Sequence, residues 1–149
     1  MIYVDTSALV ALIVNEPGSA GVAAWYAAAK GELVSAAWCV TEFGSVLGLK
    51  RRSAHLDAGQ ARAAWGRFER LVANDVRLLP VEPIDFHRAA LLSLDAAGGI
   101  RAGDALHLAC AERAGAKGLA TLDKVMADNA SRVKLKPVGL RAPPDGMEN

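Results

Sequence analysis

Short β-prone runs, apolar on both faces, alternate along this chain with longer helical patterns, and that alternation leaves few folds open. Ile2, Tyr3 and Val4 are too apolar for a strand with one wet face, so they read as a strand buried on both sides. Brief runs of the same kind recur at residues 32–35, 76–81 and 118–123. A fifth, at 133–138, contains Pro137 and so belongs at a sheet edge. Helical periodicity fills the intervals. A short helix from Ala8 to Val14 follows the first strand, with Thr6 or Ser7 as its cap, and breaks near Asn15-Glu16-Pro17-Gly18. Further helices are predicted over 19–29, 38–49, 56–74, 84–97, 102–114 and 124–130. Strands alternating with helices predict an α/β layer fold with a parallel sheet and right-handed crossovers. No linker or repeat divides the chain. Its 149 residues read as one domain over 1–140, followed by a loose tail over 141–149 that carries Pro143, Pro144 and Gly146.

The totals exclude some classes. A formal charge of +1 argues against a strongly basic nucleic-acid binder, though not against a local basic patch. Cys39 and Cys110 sit within apolar helical patterns and form no CxxC or Cys/His cluster. They read as reduced, buried thiols rather than a disulfide or a zinc site. The longest apolar run, Ala8 to Val14, is far short of the roughly 20 residues needed to span a bilayer. Asp5 interrupts the N-terminus before any leader-like run. A soluble, cytoplasmic protein with no membrane partner is expected.

Four carboxylates stand where the pattern expects something apolar or neutral. Asp5 ends the first strand and Asp123 the fourth; Glu42 lies between Val40 and Phe43 in an apolar helix; Asp104 opens another. A parallel sheet brings strand ends and the first turns of the following helices to one edge, where ligands of open α/β sheets bind. Taken singly, each acid has a plain reading: a helix cap for Asp5 and Asp123, a solvated helix residue for Glu42, a dipole partner for Asp104. Taken together they are costly unless a cation joins them. Hard oxygen ligands select magnesium or manganese, and such a metal points to phosphoryl chemistry.

The motifs carry a resemblance. Met1-Ile-Tyr-Val-Asp5-Thr6-Ser7-Ala-Leu resembles the opening of a PIN domain. Thr41-Glu42-Phe43 is similar to that family's second acidic motif, Gly103-Asp104-Ala-Leu-His-Leu-Ala-Cys-Ala to its third, and Leu119-Ala-Thr121-Leu-Asp123 to its fourth. Order and spacing match from Met1 to about Leu140, and the length looks most like the VapC toxins of bacterial toxin–antitoxin pairs. The resemblance implies a PIN-like three-layer fold: a central parallel sheet of about five strands, strand one in the middle, flanked by helices. It implies an endoribonuclease dependent on magnesium or manganese that cuts single-stranded or loop RNA. Asp5, Glu42, Asp104 and Asp123 would be its catalytic, metal-binding acids, with Thr6 and Thr121 as weaker positioning hydroxyls. It also implies a homodimer, a heterotetramer or larger assembly with a cognate antitoxin, and occlusion of the site by that partner.

In the mechanism so implied, a metal-activated water attacks phosphorus in line, oriented by Asp5 or Asp104, and leaves a 5′-phosphate and a 3′-hydroxyl. No general-base histidine is needed. His107, one helical turn after Asp104, reads as a packed or supporting residue, and His55 and His87 as solvated ones. Lys50, Arg51, Arg52, Arg101 and Lys124 are candidates for phosphate contacts. Trp25, Trp38 and Trp65 sit in helical patterns and read as core or dimer-interface residues rather than base-stacking platforms. Two rival classes remain. A PIN fold that binds without cleaving would keep the same acids. A phosphoacceptor signalling domain would need paired acids after strand one, an Asp after strand three and a Lys after strand five. Asp5-Thr6 supplies one acid, and the third strand runs into Leu79-Pro80-Val81.

Overall fold

The structure, a computed structural model, describes residues 1–140. The tail expected over 141–149 lies outside the described residues. Five strands form one sheet in the order β3-β2-β1-β4-β5, every pair parallel. They are β1 (Ile2–Val4), β2 (Leu33–Ala36), β3 (Val76–Leu79), β4 (Gly118–Ala120) and β5 (Lys136–Pro137). The helices are α1 (Thr6–Ile13), α2 (Ser19–Ala28), α3 (Trp38–Arg52), α4 (Ala58–Asn74), α5 (Pro83–Leu94), α6 (Ala102–Ala114) and α7 (Lys124–Asn129).

The period-2 alternation of each strand divides its side chains between two cores. Tyr3, Val34, Leu79 and Leu119 face α5 and α6, while Val4, Leu33, Val76 and Ala120 face α1 to α4. Both faces are therefore covered, as a parallel sheet requires. On the second face Phe43 of α3 stacks on Phe68 of α4, ring centroids 4.3 Å apart and 13° from parallel, with Trp65 tilted against both. Trp25 and Trp65 pack against this core, and Trp38 against the other. Cys39 and Cys110 are buried, free thiols.

Several boundaries differ from those predicted, for local reasons. Asp5, not Thr6 or Ser7, caps α1: its carboxylate accepts from Ala8 N, and Thr6 is already helical. α4 opens two residues later than the apolar pattern, because Asp57 and Gln60 form a reciprocal capping box. β3 stops at Leu79, because Pro80 has no N–H for the ladder. The helix expected over 84–97 ends at Leu94, and Asp95 caps a separate 3-10 turn, Ala96–Gly98. β4 ends at Ala120, three residues before Asp123, which instead caps α7. The edge strand shrinks to two residues. Its neighbours Lys136 and Val138 donate to Lys117 O and Leu119 O of the β4 strip, so the nitrogen of Pro137 falls on the unpaired side.

The chain leaves β1 toward β2 on one side and returns to β4 on the other. The carboxyl ends of β1 and β4 therefore flank the point where the strand order reverses, and Asp5 N still bonds Ala120 O there at 3.1 Å.

A candidate active site lined by four carboxylates

A cleft of about 650 Å³ opens at that reversal point, lined by Asp5, Glu42, Asp104 and Asp123 together with Thr6, Ser7, Trp38 and His107. Four separate elements supply the acids. Asp5 follows β1, Glu42 is on the second turn of α3, Asp104 is on the first turn of α6, and Asp123 caps α7. The far wall is apolar, formed by Val10 and Ala11 of α1, Pro17, and Val46 of α3.

Asp5 is 2% exposed and tightly held. Oδ1 accepts from Ser7 Oγ at 2.7 Å and from Ala8 N at 3.1 Å, and Oδ2 accepts from Thr121 Oγ1 at 2.8 Å. Thr121 Oγ1 accepts in turn from Asp123 N at 3.0 Å, and Ser7 Oγ from Leu122 N at 2.9 Å. These two hydroxyls tie the loop after β4 to the loop after β1. Burial raises the Asp5 pKa, and the hydrogen bonds from Ser7, Thr121 and Ala8 oppose that rise.

Glu42 Oε1 accepts from Thr6 Oγ1 at 2.7 Å and contacts His107 Nε2. Burial would raise its pKa, but the hydrogen bonds from His107 and Thr6 outweigh burial and hold it below the ordinary value. Asp123 Oδ1 accepts from Met126 N at 2.8 Å, closing the cap of α7. Asp104 accepts no hydrogen bond among the described residues. Its pKa is pushed up to about 6, first by burial and then by the charges of Asp123, Asp5 and Glu42. The carboxylates from three other elements thus act on one group, which ties the four acids into a single electrostatic unit.

The donor set suits a hard divalent cation: carboxylate and hydroxyl oxygens, with mutual repulsion that a cation would relieve. Among the described residues, no three His, Cys, Asp or Glu side chains stand as a ready-made coordination shell. Asp5 and Asp123 each commit one oxygen to a helix cap, and Glu42 commits one to Thr6 and His107. Magnesium keeps several waters and is commonly bound through one or two carboxylates, so the remaining oxygens fit such an ion.

The cations fall elsewhere. Lys50, Arg51, Arg52, Arg101 and Lys124 do not line the cleft. Lys50 pairs with Glu16, which lines the cleft beside Pro17, and Lys124 pairs with Asp128 at 2.8 Å on the surface. Arg51 and Arg52 are exposed at the end of α3, and Arg101 at the cap of α6. His55 and His87 are exposed, as expected. His107 is 1% exposed and bonded inside the site.

Three contributors escaped the sequence reading. Ser7 ties Asp5 to Leu122, and Trp38 lines the cleft with its buried Nε1 free of any hydrogen bond among the described residues. Tyr3 bonds His107. The available signal was Tyr3 itself, because a phenol in a fully buried strand needs a polar partner.

The PIN domain family model matches residues 2–131. Among solved structures, the chain is similar to VapC20 of Mycobacterium tuberculosis, described as a sarcin–ricin loop cleaving toxin. Identity is 17%, the TM-score is 0.69, and the match covers 86% of this chain and 94% of that one. It is also similar to FitAcB of Neisseria gonorrhoeae, at 19% identity and a TM-score of 0.67, covering 92% and 96%. VapBC2 of Rickettsia felis, bound to a promoter DNA fragment, matches at 14% identity and a TM-score of 0.62, covering 93% and 98%. At these identities the likeness establishes the fold. No curated protein matches the chain in sequence.

Proposed function

The chain belongs to the PIN-domain family, and on that premise we propose that it is a metal-dependent endoribonuclease, the toxin of a toxin–antitoxin pair. The observation that carries the reading is Asp104, a carboxyl raised to about 6 partly by three carboxylates from other elements of the same cleft. Such a cluster serves a cation. Asp5, Asp104, Asp123 and Glu42 would hold it. When bound, magnesium or manganese would supply an acidified water and positive charge against the phosphoryl oxygens.

The chain's own residues divide the remaining work. Asp5, held in place by hydrogen bonds from Ser7, Ala8 and Thr121, is the rigid ligand. Asp104, whose oxygens accept no hydrogen bond among the described residues, is the carboxylate free to orient or deprotonate the attacking water. Attack in line breaks the P–O3′ bond and leaves a 5′-phosphate and a 3′-hydroxyl. His107 is buried and bonded on both ring nitrogens, which removes it from proton transfer with RNA.

The solved neighbours include toxins crystallised with their antitoxins, which supports an antitoxin as partner here. An arginine on that partner would pair bidentately with the acids and block the cleft, while apolar side chains would meet Val10, Ala11 and Val46. A homodimer is the expected state. Purified protein should cut a susceptible RNA with magnesium or manganese and stop in EDTA, and Asp104→Asn should be inactive. Cleavage that persists in EDTA, with metal removal verified, would sink the reading. Tight divalent-metal binding with no cleavage of any RNA would favour the silent binding module.

A further inference from the structure

A chain of hydrogen bonds runs from the centre of the sheet to the wall of the cleft. Tyr3 in β1 is fully buried, and its Oη accepts from Ala36 N at 2.9 Å. The same Oη lies 2.6 Å from His107 Nδ1. His107 Nε2 contacts Glu42 Oε1 and lies 3.2 Å from Thr6 Oγ1.

The donors decide the direction of the chain. A phenol carries its proton at neutral pH, and a fully buried one must place it on an acceptor. Its oxygen already accepts from Ala36, and the acceptor it meets is His107 Nδ1. The phenol therefore donates to Nδ1, and the ring proton sits on Nε2. Nε2–H then points at Glu42 Oε1, which also takes the Thr6 hydroxyl proton. Glu42 Oε2 takes part in neither of these bonds; the donor on its side is Trp38 Nε1, which helps to lower the Glu42 pKa. Oε2 lies beside Gly103, the residue before Asp104: a Cβ built on Gly103 would stand 3.5 Å from it.

We propose that Tyr3 and His107 are positioning residues that tie Oε1 of Glu42 and leave Oε2 free as a metal ligand. This rests on reading Glu42 as one of the metal-binding carboxylates. The polar path from β1 through α6 to α3 is long for a packing role alone. An apolar side chain would fill the His107 site without leaving a donor to satisfy. Partners of this kind, standing behind a ligand, commonly affect metal affinity 10- to 100-fold.

The test uses the full-length protein and manganese alone. In Tyr3→Phe the ring loses its fixed tautomer, and manganese affinity by calorimetry should fall about 10-fold or more. His107→Leu should lose as much. His107→Gln keeps an amide donor toward Glu42 and should recover most of the affinity. On RNA, kcat should fall in Tyr3→Phe and His107→Leu with KM little changed. Nitrogen NMR of metal-free wild type should show an unprotonated Nδ1 and a protonated Nε2 on His107, whether or not the protein cuts RNA. A protonated Nδ1, or folded Leu and Gln variants that bind manganese equally well, would overturn the relay. If His107→Leu does not fold, Tyr3→Phe and the ring-nitrogen signals decide. Wild type that neither binds manganese nor cuts RNA would instead overturn the underlying nuclease reading, and the role of Glu42 with it.

Discussion

Asp104 stands on the first turn of a helix, where the dipole ought to favour its anion, yet its pKa is raised to about 6. Burial and the neighbouring carboxylates outweigh the helix. The consequence for stability has a definite sign. An unfolded Asp titrates near 4, so between about pH 4 and 6 the folded state binds more protons. Metal-free protein should then lose stability as pH rises across that window, by on the order of 1–2 kcal/mol once partial exposure is discounted. Urea melts at stepped pH measure this, and Asp104→Asn should flatten the slope. An equal slope in the variant would show that Asp104 is not the group responsible. Burial raises the Asp5 pKa as well, but Asp5 differs in that both its oxygens accept hydrogen bonds. Asp5→Asn keeps the cap but sets an amide N–H against the Thr121 hydroxyl, which now donates to Oδ2. Removal of a buried charge offsets that mismatch, so metal-free stability should change by less than about 1 kcal/mol. The substitution should also abolish cleavage and remove most of the thermal stabilisation that magnesium gives wild type. Melts of both proteins with and without magnesium measure this, and an unchanged magnesium response in the variant would exclude Asp5 as a ligand.

At the scale of elements, the placement of α6 matters most, because it carries both Asp104 and His107. Two ion pairs join it to α5. Arg113 of α6 donates to both carboxylate oxygens of Asp85, at 2.7 and 2.9 Å, and to Pro80 O. Arg88 of α5 meets Glu112 at 2.7 Å. The two should differ in worth. Asp85 is 1% exposed, so Arg113→Ala leaves a buried carboxylate short of its partner and should cost about 3 kcal/mol. Arg88 and Glu112 are about one-third exposed, and Arg88→Ala should cost less than about 1 kcal/mol. Denaturant titrations of both variants test the contrast. Equal losses would mean that burial does not decide the strength of this joint.

At the scale of the whole molecule, the apolar surface left uncovered lies mainly on one helix. Ile84, Phe86, Leu91 and Leu94 of α5 are all more than half exposed, Leu94 at 78%. The tryptophans, read as core or interface residues, are partly buried against the two cores. A homodimer through α5 would cover this patch. Light scattering at tens of micromolar should give twice the chain mass, and Leu91→Glu with Leu94→Glu should give a monomer. A wild-type monomer under those conditions would refute the dimer.

The strand pattern and the acidic motifs were legible in the sequence because they are local. A strand buried on both faces must be apolar at every position, as Ile2, Tyr3 and Val4 are. A carboxylate at a strand end is visible without knowing what lies opposite. The alternation also sufficed for a parallel sheet, since each crossover demands a helix, while the central place of β1 came from the family resemblance. What the tertiary structure alone decided depends on separations of up to 116 residues. The Asp5–Thr121 bond, the Tyr3–His107 bond and the Glu42–His107 contact join residues whose spacing in the chain says nothing of their distance. The same holds for the cations. Lys50 and Lys124 lie near site motifs in sequence, yet they pair with Glu16 and Asp128 rather than with the four acids. Local pattern thus determined which carboxylates line the cleft. Packing of α3, α6 and the β4 loop around the end of β1 determined which oxygens are tied, which are free, and why Asp104 is held near 6.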